Sequence, residues 1–209
     1  ALWIFRTGEF AADQVSADAV QVQNYYRAEG YLDARVSYRV DPGADPGKLN
    51  IVFTIVEGEI YRIENIRVEG NTVMATDDII ETMRSATEQI VKKANLDADV
   101  AAIRKKYGEQ GHIYASVRAI RVYSNRPGYV VVTIQVDEGE RVSVGRIMVR
   151  GNETTQDKVV RRALDLYPGD TFNLSLTESA ERRLRETQIF ERASVTPVGN
   201  QSGVRDILV

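Results

Sequence analysis

The chain of 209 residues has no cysteine and a single histidine, His112. The absence of cysteine excludes disulfides, thiol catalysis and cysteine-ligated metals within these residues. Zinc sites use three or four ligands, so His112 is interpreted as a packing residue rather than as a ligand or general base. We therefore expect no metal and no cofactor. An enzyme is the least favoured class, because no nucleophile–base pair can be assembled from these residues.

The chain also lacks an excess of either charge and any long apolar run. It has 27 basic and 30 acidic residues, so no broad basic surface for nucleic acid is expected and no polybasic run for an anionic membrane. No apolar run approaches the roughly 20 residues of a membrane-spanning helix. Both ends of the chain read like the middle of a structural element, which predicts that the sequence is a fragment of a longer protein.

A fifteen-residue stretch occurs twice, at 57–71 and at 138–152, with an offset of 81 residues. Each copy starts with Glu-Gly-Glu, continues as a short half-apolar strand and ends with Gly-Asn. A fixed period of this kind indicates tandem domains. The predicted division is an incomplete domain at 1–60, a complete one at 61–141 and one truncated in its last strand at 142–209.

Apolar spacing predicts the same elements in successive repeats. One helix face is predicted from apolar positions that are apolar again 81 residues later, namely Val15, Ala19, Val22 and Tyr26. Alternating apolar residues after each helix predict a hairpin, with strands starting at about residues 31, 113 and 190. Each repeat is therefore predicted to be a β-α-α-β-β unit of the α+β class, in which two helices cover one face of a three-stranded mixed sheet.

These residues resemble POTRA domains, the periplasmic repeats of outer-membrane assembly factors of the BamA type. Three motifs carry the resemblance: the Glu-Gly-Glu to Gly-Asn stretch, the Tyr-Pro-Gly-Asp turn at 167–170, and an aromatic-x-x-Ala-x-Val pattern after the second helix. The second repeat departs from the pattern, because it lacks Pro-Gly-Asp and is expected to have a longer segment between its helices, Ser85–Asn95. The third repeat has Gln188-Ile189 where the others have glycine.

The resemblance implies a non-enzymatic array on the periplasmic side of the outer membrane of a Gram-negative-type bacterium. Its implied partners are unfolded outer-membrane β-barrel proteins, bound by β-strand addition, and accessory lipoproteins of the assembly machinery. Membrane contact would come through a barrel domain absent from this chain. Two alternatives stay open: the POTRA region of a two-partner secretion or autotransporter-assembly transporter, and a pure protein–protein scaffold.

In this family the second strand of each repeat is an exposed edge, which implies edges at 31–40, 113–123 and 190–196. An edge strand offers unpaired N–H and C=O groups to any extended chain. We favour 113–123, because its repeat is complete and because apolar Ile120 and Val122 interrupt the polar outer pattern. The predicted substrate-contacting residues are Ile113, Ala115, Val117, Ala119, Ile120 and Val122, although helix packing is favoured over ligand contact for Ala115.

The second predicted site is the joint between domains. It comprises Glu57, Gly58, Glu59, Glu138, Gly139 and Glu140. A link this short restricts how neighbouring sheets can turn, so bending is expected only at 57–61 and 138–142.

Other charged residues are given structural interpretations. Thr76 is predicted to be an N-cap. Four aspartates near predicted helix starts are interpreted as capping acids, without the glycine and closing glutamate of a calcium loop: Asp77, Asp78, Asp97 and Asp99. The pairs Arg161-Arg162 and Arg182-Arg183 are interpreted as solvated helix faces.

Overall fold

The structure is a computed structural model that describes residues 11–152 and 155–209. The helices in these ranges are α1 (Ala12–Ala28), α2 (Thr76–Thr82), α3 (Lys93–Glu109), α4 (Asp157–Leu164) and α5 (Leu174–Glu186). The strands are β1 (Arg35–Pro42), β2 (Leu49–Val56), β3 (Arg62–Glu69), β4 (Ser116–Tyr123), β5 (Tyr129–Asp137), β6 (Ser143–Met148), β7 (Thr196–Val198) and β8 (Val204–Leu208). None of these helices is long and apolar enough to cross a membrane.

The strands form three sheets with the orders β1-β2, β3-β5-β4 and β6-β8-β7. The β1-β2 hairpin is antiparallel, with Arg35 opposite Val56 and Pro42 opposite Leu49. In the third sheet β8 is parallel to β6 and antiparallel to β7. The α+β class with mixed three-stranded sheets is thus confirmed. The last strand of each three-stranded sheet is central, so the strand after the second helix is an edge, as the resemblance implied.

The described residues divide into two compact units. The first contains the described residues up to Ile66 together with Ser85–Asp97 and Arg121–Val132, and the second contains Arg67–Arg84, Ala98–Ile120 and Thr133–Val209. Each unit is described below by itself.

In the first unit, α1 buries the predicted face through Val15 and Ala19. The β1-β2 register places Tyr38 opposite Phe53, and their rings lie 6.3 Å apart. Phe53 and Ile55 are each 37% exposed. This apolar side of the hairpin is therefore only partly covered by the described residues.

The second unit contains a continuous apolar core around α4, α5 and the third sheet, which includes fully buried Leu164, Phe172 and Ile207. Two arginines support it by binding carbonyl groups. Arg161 Nη2 donates to Ile147 O at 2.8 Å, and Arg183 Nε donates to Ala163 O at 2.9 Å near the end of α4. Both side chains are exposed, which agrees with their interpretation as parts of solvated helix faces. Each also binds carbonyls left free at a helix or strand end, which attract cations.

The edge strands begin later than the alternating pattern predicts. Residues 113–115 form a turn in which Ala115 N donates to His112 O at 3.1 Å, so β4 starts at Ser116. In the third repeat, residues 190–195 are irregular and the strand is β7, with only three residues. The chain must first reverse after the helix, and this turn occupies residues whose alternation resembles that of a strand. The residue that reverses the chain has a positive φ in both repeats, 95° at Gly111 and 56° at Gln188. Because α5 is one turn shorter than α3, this residue comes earlier in the third repeat.

The segment between the helices of the second repeat spans residues 83–92, which is one residue more than 165–173 in the third, so it is longer as expected although its bounds differ from Ser85–Asn95. Both helices of the second repeat start 81 residues before those of the third. Glu88, at φ 65°, takes the place of Gly169, at φ 93°. Glu88 N donates to Ile63 O at 2.7 Å, as Gly169 N does to Val144 O at 2.8 Å. The same turn therefore forms without Pro-Gly.

The capping predictions are partly wrong. The N-cap of α2 is Ala75, without a side-chain bond, and Asp77 and Asp78 do lie in its first turn. No acidic residue lies in the first turn of α3. Asp99 is instead 1% exposed within that helix, and its carboxylate accepts a hydrogen bond from Arg84 N at 2.6 Å.

Candidate functional site: the β4 edge and the Glu-Gly-Glu joints

Four of the six predicted substrate-contacting residues lie on β4. Val117 and Ala119 alternate with Ile120 and Val122, and the first pair is buried or half-buried while the second pair is 39% and 55% exposed. A strand that is covered on one face produces this alternation. Ile120 and Val122 therefore form an apolar pair on the open face of an edge strand.

The other two predicted residues lie in the turn before β4. Ile113 is half-buried and packs against the core of the second unit, and Ala115 is buried. The structure thus gives both residues a packing environment, which agrees with the packing role favoured for Ala115.

A shallow groove of about 380 Å³ lies on the open sheet face at the start of β4. Ser116 and Arg118 line it from β4, and Gln135 and Asp137 line it from β5. Among the described residues Arg118 has no ion-pair partner. This part of the edge is therefore polar and carries a cation in a groove that also contains the carboxylates of Glu69 and Asp137.

At the second joint, the carboxylate of Glu138 is surrounded by donors. Thr72 N and Val73 N donate to it at 2.7 and 2.8 Å, Tyr107 OH donates at 2.9 Å, and the Thr72 hydroxyl donates as well. Burial by itself would raise the pKa of Glu138, but these hydrogen bonds outweigh burial and lower the pKa to about 2. Burial, together with Glu138, raises the pKa of Tyr107 well above its usual value. Glu138 is therefore a charged clasp that holds the start of the joint to the loop after β3.

His112 lies beside the same joint. It is buried, its ring makes an edge contact with Tyr107 at 6.1 Å, and its Nδ1 is 3.1 Å from Glu138 O and 3.2 Å from Gly139 O. These contacts agree with its interpretation as a packing residue. No group of three or more His, Cys, Asp or Glu side chains within residues 11–152 and 155–209 could hold a metal ion.

Whereas Glu138 binds residues that precede the joint in sequence, Glu140 binds residues that follow it. Its carboxylate accepts from Ser202 Oγ at 2.8 Å and from Gly203 N at 3.1 Å, in the turn between β7 and β8. Ser143 N then donates to Gly203 O at 2.9 Å. The two glutamates of this joint thus bind the elements that precede and follow it.

The first joint has the same backbone geometry. Tyr61 N donates to Gly30 O at 2.9 Å, as Val142 N does to Gly111 O at 2.9 Å. Glu57 is the counterpart of Glu138, and burial together with the negative charge of Glu57 raises the pKa of Tyr26. The equivalence shows that the offset of 81 residues extends to the contacts of the joints.

At the first joint, two tyrosines donate hydrogen bonds to Asp33. The Asp33 carboxylate accepts from Tyr61 OH at 2.6 Å and from Tyr123 OH at 3.2 Å, and the bond to Asp33 raises the pKa of Tyr61 to about 12. Gly58, at φ 75°, lies against Asp33, since a Cβ there would be 3.3 Å from the Asp33 Cβ. The motif pattern did not indicate Asp33, whose partners are distant in sequence.

The second joint has further contacts that the sequence pattern missed. Arg205 stacks on Tyr114, with its guanidinium carbon 5.1 Å from the ring centre, and its Nε donates to the tyrosine oxygen at 2.8 Å. Ser175 Oγ donates to Glu109 at 2.7 Å. These pairs tie the end of α3 and the following turn to the third sheet and α5.

The Gly-Asn pair of the repeated stretch has a definite role. Asn71 Nδ2 donates to Met74 O at 2.9 Å, and Asn152 Nδ2 donates to Thr155 O at 2.7 Å. Each asparagine therefore organises the loop that leads into the next helix. The repetition of this asparagine was the only signal for its role in the sequence.

Sheets with an edge second strand and a central last strand, linked by equivalent Glu-Gly-Glu joints, define a tandem array of β-α-α-β-β domains. The family model for POTRA, described as surface antigen variable number repeat, matches residues 2–58, 61–139 and 142–208. The chain belongs to the POTRA family.

Its relatives are outer-membrane assembly proteins. It is 28% identical to a candidate outer membrane protein assembly factor of Treponema pallidum (strain Nichols), over 97% of this chain and 25% of the relative. It is 25% identical to the outer membrane protein assembly factor BamA of Buchnera aphidicola subsp. Acyrthosiphon pisum (strain APS), over 89% of this chain and 30% of that protein. The chain thus spans about a quarter to a third of the length of these curated relatives.

A solved structure shows the same fold. The crystal structure of Haemophilus influenzae BamA POTRA3-5 superposes with a TM-score of 0.69 at 22% identity, covering 96% of this chain and 80% of that one. The predicted identity as tandem POTRA domains is confirmed.

Proposed function

We propose that this chain is the periplasmic, substrate-receiving and scaffold region of an outer-membrane β-barrel assembly factor. In this proposal it binds unfolded outer-membrane proteins by strand addition and docks accessory lipoproteins of the machinery, without catalysing a reaction. Family membership and the names of its relatives support this class of function. The proposed domains are residues 1–60, 61–141 and 142–209, with membrane contact through a barrel domain elsewhere in the full-length protein.

The observation that carries the proposal is the form of the β4 edge. β4 has eight residues and no proline, whereas β7 has three residues and one of them is Pro197, which cannot donate a backbone hydrogen bond. Ile120 and Val122 are exposed on β4. A long edge that has no proline and carries exposed apolar side chains is the kind of surface on which an extended chain adds as a strand.

Strand addition has little dependence on sequence, because its affinity comes from main-chain hydrogen bonds. A receptor for many unfolded barrel strands needs this property. The alternating residues of a barrel strand would place one set of side chains beside Ile120 and Val122. The joint residues 57–59 and 138–140 would then restrict the direction in which such an edge faces.

The test is a titration with a peptide from a barrel-protein strand, followed by backbone amide NMR. We expect shifts concentrated in residues 116–123. Ala119→Pro should weaken binding at least tenfold by removing a backbone donor, whereas Ala119→Val keeps the donor and should bind like the parent. Circular dichroism and the amide spectrum confirm that both variants are folded. Unchanged amide signals on β4, or equal binding by the two variants, would contradict the proposal.

A further inference from the structure

The outward-facing backbone groups of β4 follow from one hydrogen bond. β4 and β5 are joined by five residues, 124–128, a connection that only antiparallel neighbours allow. Ser124 N donates to Tyr129 O at 3.0 Å. Antiparallel ladders alternate hydrogen-bonded and non-bonded pairs. Counting back in steps of two from Ser124, residues 122, 120, 118 and 116 bond to β5, and Val117, Ala119, Arg121 and Tyr123 direct their backbone groups outward.

This alternation determines where the side chains of an added strand lie. Residues of the added strand that stand opposite Arg118, Ile120 and Val122 share the open face of the sheet with them, since directly opposed side chains lie on the same face. The open face of β4 thus reads, in order, one cation and two apolar side chains. Across the strand from this cation, the groove on β5 contains neutral Gln135, and the carboxylates of Glu69 and Asp137 line the same groove.

We propose that β4 selects among strands by this pattern, and prefers an antiparallel strand with the order apolar-x-apolar-x-acidic. The apolar residues stand opposite Val122 and Ile120, and the acidic residue stands opposite Arg118. The inference rests on the proposed function, and adds to it a substrate class and an orientation. Antiparallel pairing is the more stable arrangement, and aromatic residues opposite β-branched ones and opposite charges across strands are the favourable pairs.

Three synthetic peptides of identical composition test the inference, each with two Phe, one Glu and Thr at the other positions. The first has the order Phe-x-Phe-x-Glu, the second has the reverse order, and the third has its two Phe adjacent so that they fall on opposite faces. We expect the first to bind roughly tenfold more tightly than the others, from three favourable cross-strand pairs. A preference for the reversed peptide, or equal affinity for all three, would overturn the inference.

A charge swap tests Arg118 separately. In the Arg118→Glu variant, the first peptide should lose affinity, and a peptide with Lys in place of Glu should regain it. Arg121→Glu is the matched control, because this arginine is also exposed on β4 but alternates to the other face. Equal effects of the two variants would overturn the role of Arg118. Binding of all three original peptides with equal affinity leaves strand addition intact, whereas no binding by any peptide contradicts the proposed function itself.

Discussion

At the level of single residues, the Glu-Gly-Glu joint depends on carboxylates that accept several backbone hydrogen bonds. Glu138 accepts from Thr72, Val73 and Tyr107, and Glu140 accepts from Ser202 and Gly203. Charged acceptors of backbone N–H groups form stronger bonds than neutral ones. The motif therefore needs both acids, because each satisfies donors on a different side of the joint.

We expect Glu138→Gln to destabilise the protein by about 1–3 kcal/mol at pH 7, since it replaces a charged acceptor and leaves donors unpaired. The measurement is urea unfolding, with Glu178→Gln as control, because Glu178 is exposed on α5. A loss no larger than that of the control would contradict the role of Glu138 as a clasp.

The pH dependence of the same variant follows from the sign of the shift. The pKa of Glu138 is about 2 in the folded protein, below its ordinary value of 4.5. The carboxylate therefore contributes its full stability above about pH 4.5, and this contribution is lost as the pH falls toward 2. The stability difference between the parent and Glu138→Gln should shrink over this range. A difference that stays constant from pH 7 to pH 2 would show that the carboxylate charge is not involved.

Two glycines at equivalent positions of the repeat allow a matched comparison. Gly70 has φ 84°, and a Cβ there would lie 2.1 Å from Val136 O, whereas Gly151 has φ 77° and no atom of the described residues within 4 Å of its Cβ position. Gly151→Ala should cost about 1–2 kcal/mol for the left-handed conformation. Gly70→Ala should cost several kcal/mol more, because backbone atoms must move. Similar thermal unfolding midpoints for the two variants would rule out the close approach at Gly70.

At the level of elements, α4 is a short helix whose end depends on its neighbour α5. Arg183 of α5 donates to the carbonyls of Ala163 and Leu164, while Asp165 turns the chain at φ 55°. The last carbonyls of a helix have no partner within the helix, so a cation is the usual supplement. Of the adjacent exposed arginines Arg182 and Arg183, Arg183 is therefore the one that caps α4.

We expect Arg183→Ala to destabilise the protein by about 1 kcal/mol and to speed amide exchange in α4. Arg182→Ala, one position away and exposed, should lower the stability by no more than a few tenths of a kcal/mol and should leave amide exchange in α4 unchanged. Hydrogen exchange measured by NMR checks both variants. Equal exchange rates in α4 for the two variants would contradict the capping role.

At the level of the whole molecule, similar joints follow one another along the chain. Tyr61 and Val142 donate to Gly30 and Gly111 through equivalent backbone bonds. Within the second unit, Glu140 adds side-chain bonds to the turn that follows β7. We expect bending of the chain to be confined to residues 57–61 and 138–142, because the segments on either side are held by their own sheets.

The Glu140→Ala variant tests the second joint. Residual dipolar couplings from residues 98–120 and 155–209 should fit one alignment tensor in the parent protein. In the variant they should need two tensors, since the bonds to Ser202 and Gly203 are lost. Glu178→Ala is the control and should behave like the parent. A single tensor in the Glu140→Ala variant would show that this carboxylate does not hold the joint.

The elements of the fold could be predicted closely, and their contacts could not. The spacing of Val15 and Ala19 placed α1, and alternation placed β5, because both signals are local. The start of β4 was missed, since the turn at 113–115 keeps the alternation of a strand. Asp99 was misread, because its burial and its bond to Arg84 depend on packing between segments distant in the sequence. Of the candidate site, the apolar pair Ile120 and Val122 was predicted together with its edge position.

The sequence by itself determined the order of elements and the offset of 81 residues, since periodicity and turn residues act over a few neighbours. The edge position of the second strand was implied by the family resemblance. Only the tertiary structure decided which donors surround Glu138, since Thr72 is 66 residues away from it. It also decided that Glu88 replaces a glycine and that Arg183 caps α4. Such contacts depend on how separate segments pack, and the local pattern of residues carries no record of that packing.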